Sequence, residues 1–293
     1  MHALTLARQR LQAHLQSPTT PAPVRLAHGM VAEGKGRYLP LLSSALAQSI
    51  LSEGYDARTL DRVYRNRPSN EMGVLGLLAD RMVLDLPVHQ ALRERLEAAS
   101  GEICAAVTLG VRAGISDFRL LCAPCGLDSE LFRAAERLRE TRPDAFAALR
   151  CWGVDPDLHG DLLPEAASHA RALGLPLQLL REDLRRRREV AAVVAAEGPF
   201  HTVVCLGLTQ RFSATDSNEL LRFYSSLLAP GGVLLADRWE RTESPRLAAG
   251  LGVEWRYQNR AEFHTALGEA GLGVEREHPS GEGGCVLVVA RKP

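Results

Sequence analysis

The sequence has no excess of charge of either sign. Its 293 residues include 35 Lys and Arg against 35 Asp and Glu. Nucleic acids and anionic membrane surfaces are usually bound through an excess of positive charge, and the one dense basic cluster, Arg185–Arg188, is typical of a solvated helix end. The composition therefore favours a small-molecule partner over a nucleic acid or a membrane.

Long apolar runs are also missing. No stretch approaches the length of a membrane-spanning helix, and the run VLGLLADRMVLDL is interrupted by Asp80 and Arg81. The opening stretch, MHALTLARQRLQAHLQ, lacks the apolar core and small-residue cleavage site of a secretory signal. We therefore expect a cytoplasmic protein.

The six cysteines form neither a disulfide framework nor a zinc pattern. They are scattered, mostly through apolar runs, as expected of reduced, buried thiols. Cys122 and Cys125 form a C-x-x-C, but no second C-x-x-C or His pair completes a zinc site. A redox role for this pair stays open, although two small residues at a strand end and turn are the simpler interpretation. The sequence predicts no metal site, because no His, Cys and carboxylate cluster has ligand spacing.

Strand patterns are lacking in residues 25–110. This region is rich in Ala, Leu and Arg, and its apolar residues recur at helical spacing between Gly and Pro breaks. We predict an all-helical region over residues 1–114. Tyr38 and Tyr64 in this region are candidate site residues, because the face of a phenol ring attracts a sulfonium or ammonium cation. Its Arg residues suit carboxylates, although Arg-rich helices are more often solvated surfaces.

From residue 118 onward, apolar runs alternate with helical patterns, which is typical of successive parallel β-α units. The first unit, FRLLCAPCG followed by LDSELFRAAERLRE, predicts a strand, a tight turn and a helix. The chain ends in two strand-like runs, VEREHPS and CVLVVARK, separated by GEGG, which predicts an antiparallel hairpin. We therefore predict a second domain over residues 115–293, with five parallel units before the hairpin.

Residues 118–293 resemble, motif by motif, the class I S-adenosylmethionine-dependent methyltransferases. The resemblance implies an α/β, Rossmann-like fold with a seven-stranded, mostly parallel sheet that ends in an antiparallel hairpin, preceded here by an N-terminal all-helical cap. It implies S-adenosyl-L-methionine as the cofactor and a small molecule as the second substrate.

The N-terminal region is similar to that of a bacterial group of methyltransferases. In that group a Y-R-N-R stretch is followed by a D-R pair and an R-x-R, which here are Tyr64–Arg67, Asp80-Arg81 and Arg93–Arg95. The similarity implies a cap over residues 1–114 that excludes water and selects the second substrate. Alternatively, the R-x-R ties the cap to the catalytic domain by ion pairs.

The resemblance also implies a set of cofactor-binding residues at the strand ends. The loop Ala123–Gly126 corresponds to the family's first loop, although it has fewer glycines and lacks the usual preceding acidic residue. Asp155 matches the acidic residue that accepts hydrogen bonds from the ribose hydroxyls, a role that suits a carboxylate. Asp183 and Leu184 match the position that meets the adenine amino group. The candidate residues are Ala123, Pro124, Cys125, Gly126, Asp155, Pro156, Asp183, Leu184, Leu206, Gly207 and Leu208.

Two segments are predicted to connect strands and helices of the second domain. TRPDAFAALR is predicted to be an inserted loop, because the interval from the first loop to Asp155 exceeds the roughly 20 residues of a dinucleotide-type unit. APGGVLLAD resembles the family's turn into the fifth strand, with the turn at Pro230–Gly232.

The cofactor's chemistry suggests which further residues to seek. A sulfonium makes its attached carbons electrophilic, so the protein mainly has to align a nucleophile with a C–S bond. An acceptor of low acidity also needs a general base, for which His159, His201 and Asp128 are candidates and His159 is the best placed. The candidate catalytic residues are His159, Tyr64, Tyr38 and Asp128.

Three functions are compatible with these features. Methyl transfer to a small metabolite is the first, and it yields S-adenosylhomocysteine. The second is cyclisation of the cofactor alone with release of methylthioadenosine, as in azetidine-2-carboxylic acid synthases, which resemble capped methyltransferases. The third is a non-catalytic binding protein that has kept the fold.

Overall fold

The computed structural model describes residues 43–69, 73–127, 129–157, 160–186, 190, 194, 196–240, 256–281 and 283–293. The chain divides into two compact units, and the division falls inside one long helix, between Gln90 and Ala91. The predicted boundary at residue 114 separates a cap that selects the substrate from a domain that binds the cofactor. This division of functions stays a prediction.

The first unit is helical in its described residues, as predicted. Its elements are α1 (Ala45–Glu53), α2 (Ala57–Arg65), α3 (Gly73–Leu84) and the start of α4 (Pro87–Arg112). Ser44 and Asp56 cap α1 and α2, because each side-chain oxygen accepts a backbone N–H of the first helical turn.

Buried Asp80 joins three segments of this unit. Its carboxylate accepts hydrogen bonds from the hydroxyl of Ser44 and from the backbone N–H groups of Leu46 and Ser69, the latter two at 3.0 and 2.8 Å. The guanidinium of Arg62 lies 3.7 Å away. The fold tolerates this buried carboxylate because donors and a positive charge surround it.

The second unit is built on a seven-stranded sheet with the order β3-β2-β1-β4-β5-β7-β6. The strands are β1 (Phe118–Cys122), β2 (Leu149–Asp155), β3 (Leu177–Arg181), β4 (Phe200–Cys205), β5 (Leu228–Trp239), β6 (Gly273–Ser280) and β7 (Cys285–Arg291). Strands β1 to β5 pair in parallel, whereas β7 is antiparallel to both β5 and β6. The predicted fold class, including the terminal hairpin, is confirmed.

Helices cover both faces of this sheet. The helices are α5 (Ser129–Thr141), α6 (Pro143–Ala148), α7 (Leu162–Leu173), α8 (Ala214–Leu227) and α9 (Arg260–Glu269), with a 3-10 helix at Thr209–Arg211. Leu120 and Cys122 pack with α4, α5 and α7, whereas Leu121 packs with α8 and α9. Successive side chains of a strand point to opposite faces, so β1 contributes to both cores. Because helices occupy both faces, a ligand site is expected in the loops at the ends of the strands.

Two connections differ from the sequence-based predictions. The predicted inserted loop is wrong, because TRPDAFAALR contains α6 and the start of β2. Pro143 stands at the beginning of α6, where a helix needs no N–H donor, and Ala145 is fully buried. The predicted turn at Pro230–Gly232 lies within β5, where the pairing with β4 shifts register and Gly231 has a φ of +74°.

Glu102 links α4 to β6. Its carboxylate accepts hydrogen bonds from the guanidinium of Arg276 and from Nε2 of His278, both at 2.8 Å. Burial alone raises the pKa of Glu102, but these bonds outweigh it and hold the pKa below the ordinary value of 4.5. The stability that Glu102 contributes is therefore present above its unfolded pKa and is lost as the pH falls through its lower folded pKa.

We expect Glu102→Gln to lower the free energy of unfolding by about 1 to 2 kcal/mol at neutral pH. The difference from wild type should shrink in acid, where Glu102 is protonated in the wild-type protein as well. Urea unfolding of the variant and the wild type at neutral and at acidic pH measures this difference in the free energy of unfolding. Glu97→Gln is the control, because the ion pairs of Glu97 with Arg133 and Arg137 are exposed. A Glu102→Gln difference that does not change with pH would contradict the prediction.

Candidate active site

The loop Ala123–Gly126 lies at the carboxyl end of β1 and is bonded to both neighbouring strands. The N–H of Ala123 donates to the carbonyl of Val204 in β4 at 2.9 Å, and the N–H of Cys125 donates to the carbonyl of Val154 in β2 at 3.0 Å. The loop therefore stands where the strand order reverses, between β1 and β4. Ligands of open α/β sheets bind at such switch points.

Asp155 braces this loop from the end of β2. Its Oδ2 accepts the N–H of Gly126 at 3.0 Å, and its Oδ1 accepts the N–H of Asp157 at 2.9 Å. Burial raises the pKa of Asp155, whereas the two backbone hydrogen bonds act in the opposite direction. A carboxylate has about four acceptor positions, so Asp155 keeps capacity for further donors. Gly126 has a φ of +52°, which glycine adopts without strain.

Asp157 was not predicted, yet it organises the connection after β2. Its carboxylate accepts the N–H groups of Gly160 and Leu162, both at 3.1 Å, and lies 3.1 Å from the guanidinium of Arg181. It thereby caps the start of α7. The signal in the sequence was the second Asp of D-P-D shortly before a helical pattern, because Asp is a preferred capping residue.

A buried carboxylate in β5, Asp237, organises the segment after β4. Its Oδ1 accepts the N–H of Gly207 at 2.9 Å, and its backbone carbonyl accepts the hydroxyl of Thr209 at 2.7 Å. Gly207 has a φ of +75°. The predicted residues Leu206, Gly207 and Leu208 thus follow the carboxyl end of β4 and are held there by the neighbouring strand.

Arg95 from α4 neutralises Asp237. Its Nη1 donates to Oδ2 of Asp237 at 2.5 Å, and its Nη2 lies 3.8 Å from Oε1 of Glu130. The side chains of Arg95 and Asp237 are 2% and 0% exposed. Arg95, the second arginine of the R-x-R motif, thus forms an ion pair within the second unit, and the two roles considered for the motif stay predictions.

Asp183 and Leu184 follow β3. Oδ1 of Asp183 accepts the N–H of Arg185 at 2.9 Å, and the Asp183 carbonyl accepts the N–H of Arg186 at 2.8 Å, which forms a turn. The side chain of Leu184 is buried in the apolar core, so its backbone is the part left to meet a ligand. The predicted adenine contacts of both residues stay predictions.

Tyr38, Asp128 and His159 lie outside the described residues, so their catalytic roles stay predictions. Tyr64 is partly buried in α2 of the first unit. His201, the alternative base, is the second residue of β4, and its Nδ1 accepts the N–H of Arg119 at 2.9 Å. It therefore braces the amino-terminal edge of the sheet, opposite to the Ala123–Gly126 loop.

Cys122 and Cys125 are not joined by a disulfide, and both pack in the apolar core. No group of three or more His, Cys, Asp or Glu in the described part of the chain is arranged to hold a metal ion. The helices of the described residues include none that is both long and apolar enough to cross a membrane. The cytoplasmic location stays a prediction.

No protein-family model matches the sequence, and no curated protein matches it. Among solved structures, a possible exported protein from Bordetella parapertussis is 21% identical and has a TM-score of 0.65, with 98% of this chain and 93% of that chain covered. Magnesium protoporphyrin IX methyltransferase from Synechocystis PCC 6803, solved with bound S-adenosylhomocysteine, is 15% identical with a TM-score of 0.54, covering 84% of this chain and 97% of that chain.

An O-methyltransferase family protein from Burkholderia thailandensis is also similar. It is 17% identical and has a TM-score of 0.50, with 88% of this chain and 72% of that chain covered. Together with the strand order and the terminal hairpin, these likenesses show that the chain has the class I methyltransferase fold.

Proposed function

We propose that the chain is an S-adenosyl-L-methionine-dependent methyltransferase acting on a small molecule. The observation that carries the proposal is the Ala123–Gly126 loop at the switch between β1 and β4, braced by the buried carboxylate of Asp155. Two of the similar structures are methyltransferases by name, and one of them was solved with S-adenosylhomocysteine. The same switch point is where this fold class binds ligands.

The residues at this point suit the cofactor. Ala123 and Gly126 are small, so the backbone leaves room for a ligand to approach closely. Asp155 has acceptor positions left for the ribose hydroxyls, and its negative charge attracts a sulfonium. In the proposal Asp183 and the backbone of Leu184 meet the adenine.

When bound, S-adenosyl-L-methionine supplies an electrophilic methyl group. The chain supplies position, because Asp155 holds the first loop and Asp237 holds the segment after β4, so both sides of the switch point are preformed. In the proposal His159 takes the acceptor's proton, with Asp128 as the other candidate base. Residues 1–114, including Tyr38 and Tyr64, contribute to the selection of the acceptor, and residues 115–293 bind the cofactor.

Calorimetric titration of the purified chain with S-adenosylhomocysteine tests cofactor binding, and mass spectrometry of reactions with small-molecule acceptors tests the chemistry. We expect binding, together with acceptor-dependent release of S-adenosylhomocysteine. Release of methylthioadenosine from the cofactor alone would replace methyl transfer by cyclisation. Absence of any binding would overturn both enzymatic functions and leave a non-catalytic protein.

A further inference from the structure

An open cavity of about 450 Å³ lies between the amino-terminal half of α8 and the length of α9, from Ala261 to Glu269. Two backbone hydrogen bonds fix its position. The N–H of Arg256 donates to the carbonyl of Gln210, after β4, at 2.8 Å, and the N–H of Gln258 donates to the carbonyl of Trp239, at the end of β5, at 2.9 Å. The cavity is therefore at the same edge of the sheet as the Ala123–Gly126 loop, beyond β4 and β5.

Arg256 lines this cavity, and two nitrogens of its guanidinium donate no hydrogen bond to a described residue. Its Nε and Nη2 are buried and have no hydrogen-bond partner in the described part of the chain. Burial lowers the pKa of Arg256, and the nearby charge of Glu262 acts in the opposite direction. A guanidinium nevertheless stays protonated at neutral pH. The Arg256 side chain as a whole is only partly buried, but donors that are inaccessible to water and lack an acceptor are unfavourable until an acceptor joins them.

Arg95 and Arg238, which are fully buried in the described part of the same unit, are built differently. Arg95 donates to Asp237 at 2.5 Å, and the guanidinium of Arg238 lies 3.2 Å from Glu277 and also pairs with Glu240. Each carries its own carboxylate partner inside the fold. Arg256 forms no ion pair with a carboxylate in the described part of the chain, and Glu262 acts on it only through its nearby charge, so its environment is that of a ligand-binding group rather than of a structural ion pair.

The lining of the cavity defines the anion further. The forked N–H groups of a guanidinium match a carboxylate, and the side chains of Asn218, Gln258 and Thr265 add neutral hydrogen-bonding groups. Glu262 and Glu269 also line the cavity, so a second negative charge, as on a phosphate, would be repelled. The volume falls within the range of small-molecule sites.

We propose that this cavity binds the methyl acceptor by a single carboxylate group held by Arg256. The inference rests on the proposed methyltransferase function and adds the chemical class of the acceptor, a small monocarboxylic acid. Because the cavity lies at the same sheet edge as the predicted cofactor site, a carboxylate anchored there leaves the rest of the acceptor to extend toward the switch point.

The test uses a matched pair of probes, N-acetylglycine and its neutral amide N-acetylglycinamide, titrated calorimetrically into the full chain saturated with S-adenosylhomocysteine. Wild type should bind the acid at least about tenfold more tightly than the amide, since a charge-assisted fork is lost with the amide. Arg256→Gln should abolish this preference. Arg142→Gln is the matched control, because Arg142 pairs with Asp144 at the surface and neither residue lines the cavity; it should keep the preference.

Two further measurements separate this inference from the proposed function. Affinity for S-adenosylhomocysteine alone should be the same in wild type and Arg256→Gln, and the urea midpoint should not fall, since the variant loses no internal partner. Equal binding of acid and amide by wild type, or a preference that survives in Arg256→Gln, would overturn the carboxylate site. If the chain does not bind S-adenosylhomocysteine but the free chain still prefers the acid to the amide, the proposed methyltransferase function is wrong and the carboxylate site stands.

Discussion

Replacement of Asp155 by alanine is expected to weaken the binding of S-adenosylhomocysteine by about 100-fold or more. The substitution removes the acceptor of two backbone N–H groups, those of Gly126 and Asp157, and with it the predicted acceptor of the ribose hydroxyls. The first loop loses its brace, so more conformational freedom has to be lost on binding. Calorimetric titration measures the change.

The Asp155→Ala variant is nevertheless expected to fold. Because burial raises the pKa of Asp155, this group contributes stability that is present below its unfolded pKa and lost as the pH rises through its folded pKa. At neutral pH the buried carboxylate is therefore only partly compensated by its two hydrogen bonds. We expect the free energy of unfolding to change by no more than about 1 to 2 kcal/mol.

The control for this prediction is Asp144→Ala. Asp144 is an exposed carboxylate on α6 that pairs with Arg142, so its removal should leave affinity and stability unchanged. If Asp155→Ala binds S-adenosylhomocysteine as wild type does, the ribose contact lies elsewhere and the loop does not need its brace. Circular dichroism of both variants checks that the fold is retained.

Arg95→Met is expected to lower the free energy of unfolding by about 3 to 5 kcal/mol. The methionine keeps most of the side-chain volume but leaves the carboxylate of Asp237 buried without its counter-charge. Asp237 also accepts the N–H of Gly207, so the segment after β4 should loosen as well. Urea unfolding followed by circular dichroism measures the loss, and hydrogen exchange at Gly207 reports the loosening.

The matched control is Arg137→Met. Arg137 pairs with Glu97 at the surface, where both side chains are more than two-fifths exposed, and the expected loss is below about 1 kcal/mol. The double variant Arg95→Met with Asp237→Leu should recover part of the stability, because no unpaired charge stays buried. A loss in Arg95→Met as small as in Arg137→Met would contradict the assignment of a buried, coupled pair.

Patterns among near neighbours in the sequence were sufficient to predict most of the elements. Ala99, Ile103 and Val107 recur at helical spacing and form the buried stripe of α4, and the adjacent apolar residues Leu120 and Leu121 predict that β1 is buried on both faces. The sequence also located the first loop, the acidic strand end at Asp155 and the terminal hairpin. The prediction failed at α6, because Pro143 and the charged residues beside it resemble a loop. A short helix nevertheless begins at Pro143, since the first position of a helix needs no N–H donor.

Tertiary structure alone decided which distant groups meet. Arg95 and Asp237 are 142 residues apart, and nothing near either residue in the sequence indicates the other. The same holds for the place of β4 beside β1, which creates the switch point, and for the cavity in which Nε and Nη2 of Arg256 have no partner among the described residues. The reason is physical: helical and strand periods are properties of adjacent residues, whereas the partner of a buried charge depends on strand order, register and packing across the whole sheet.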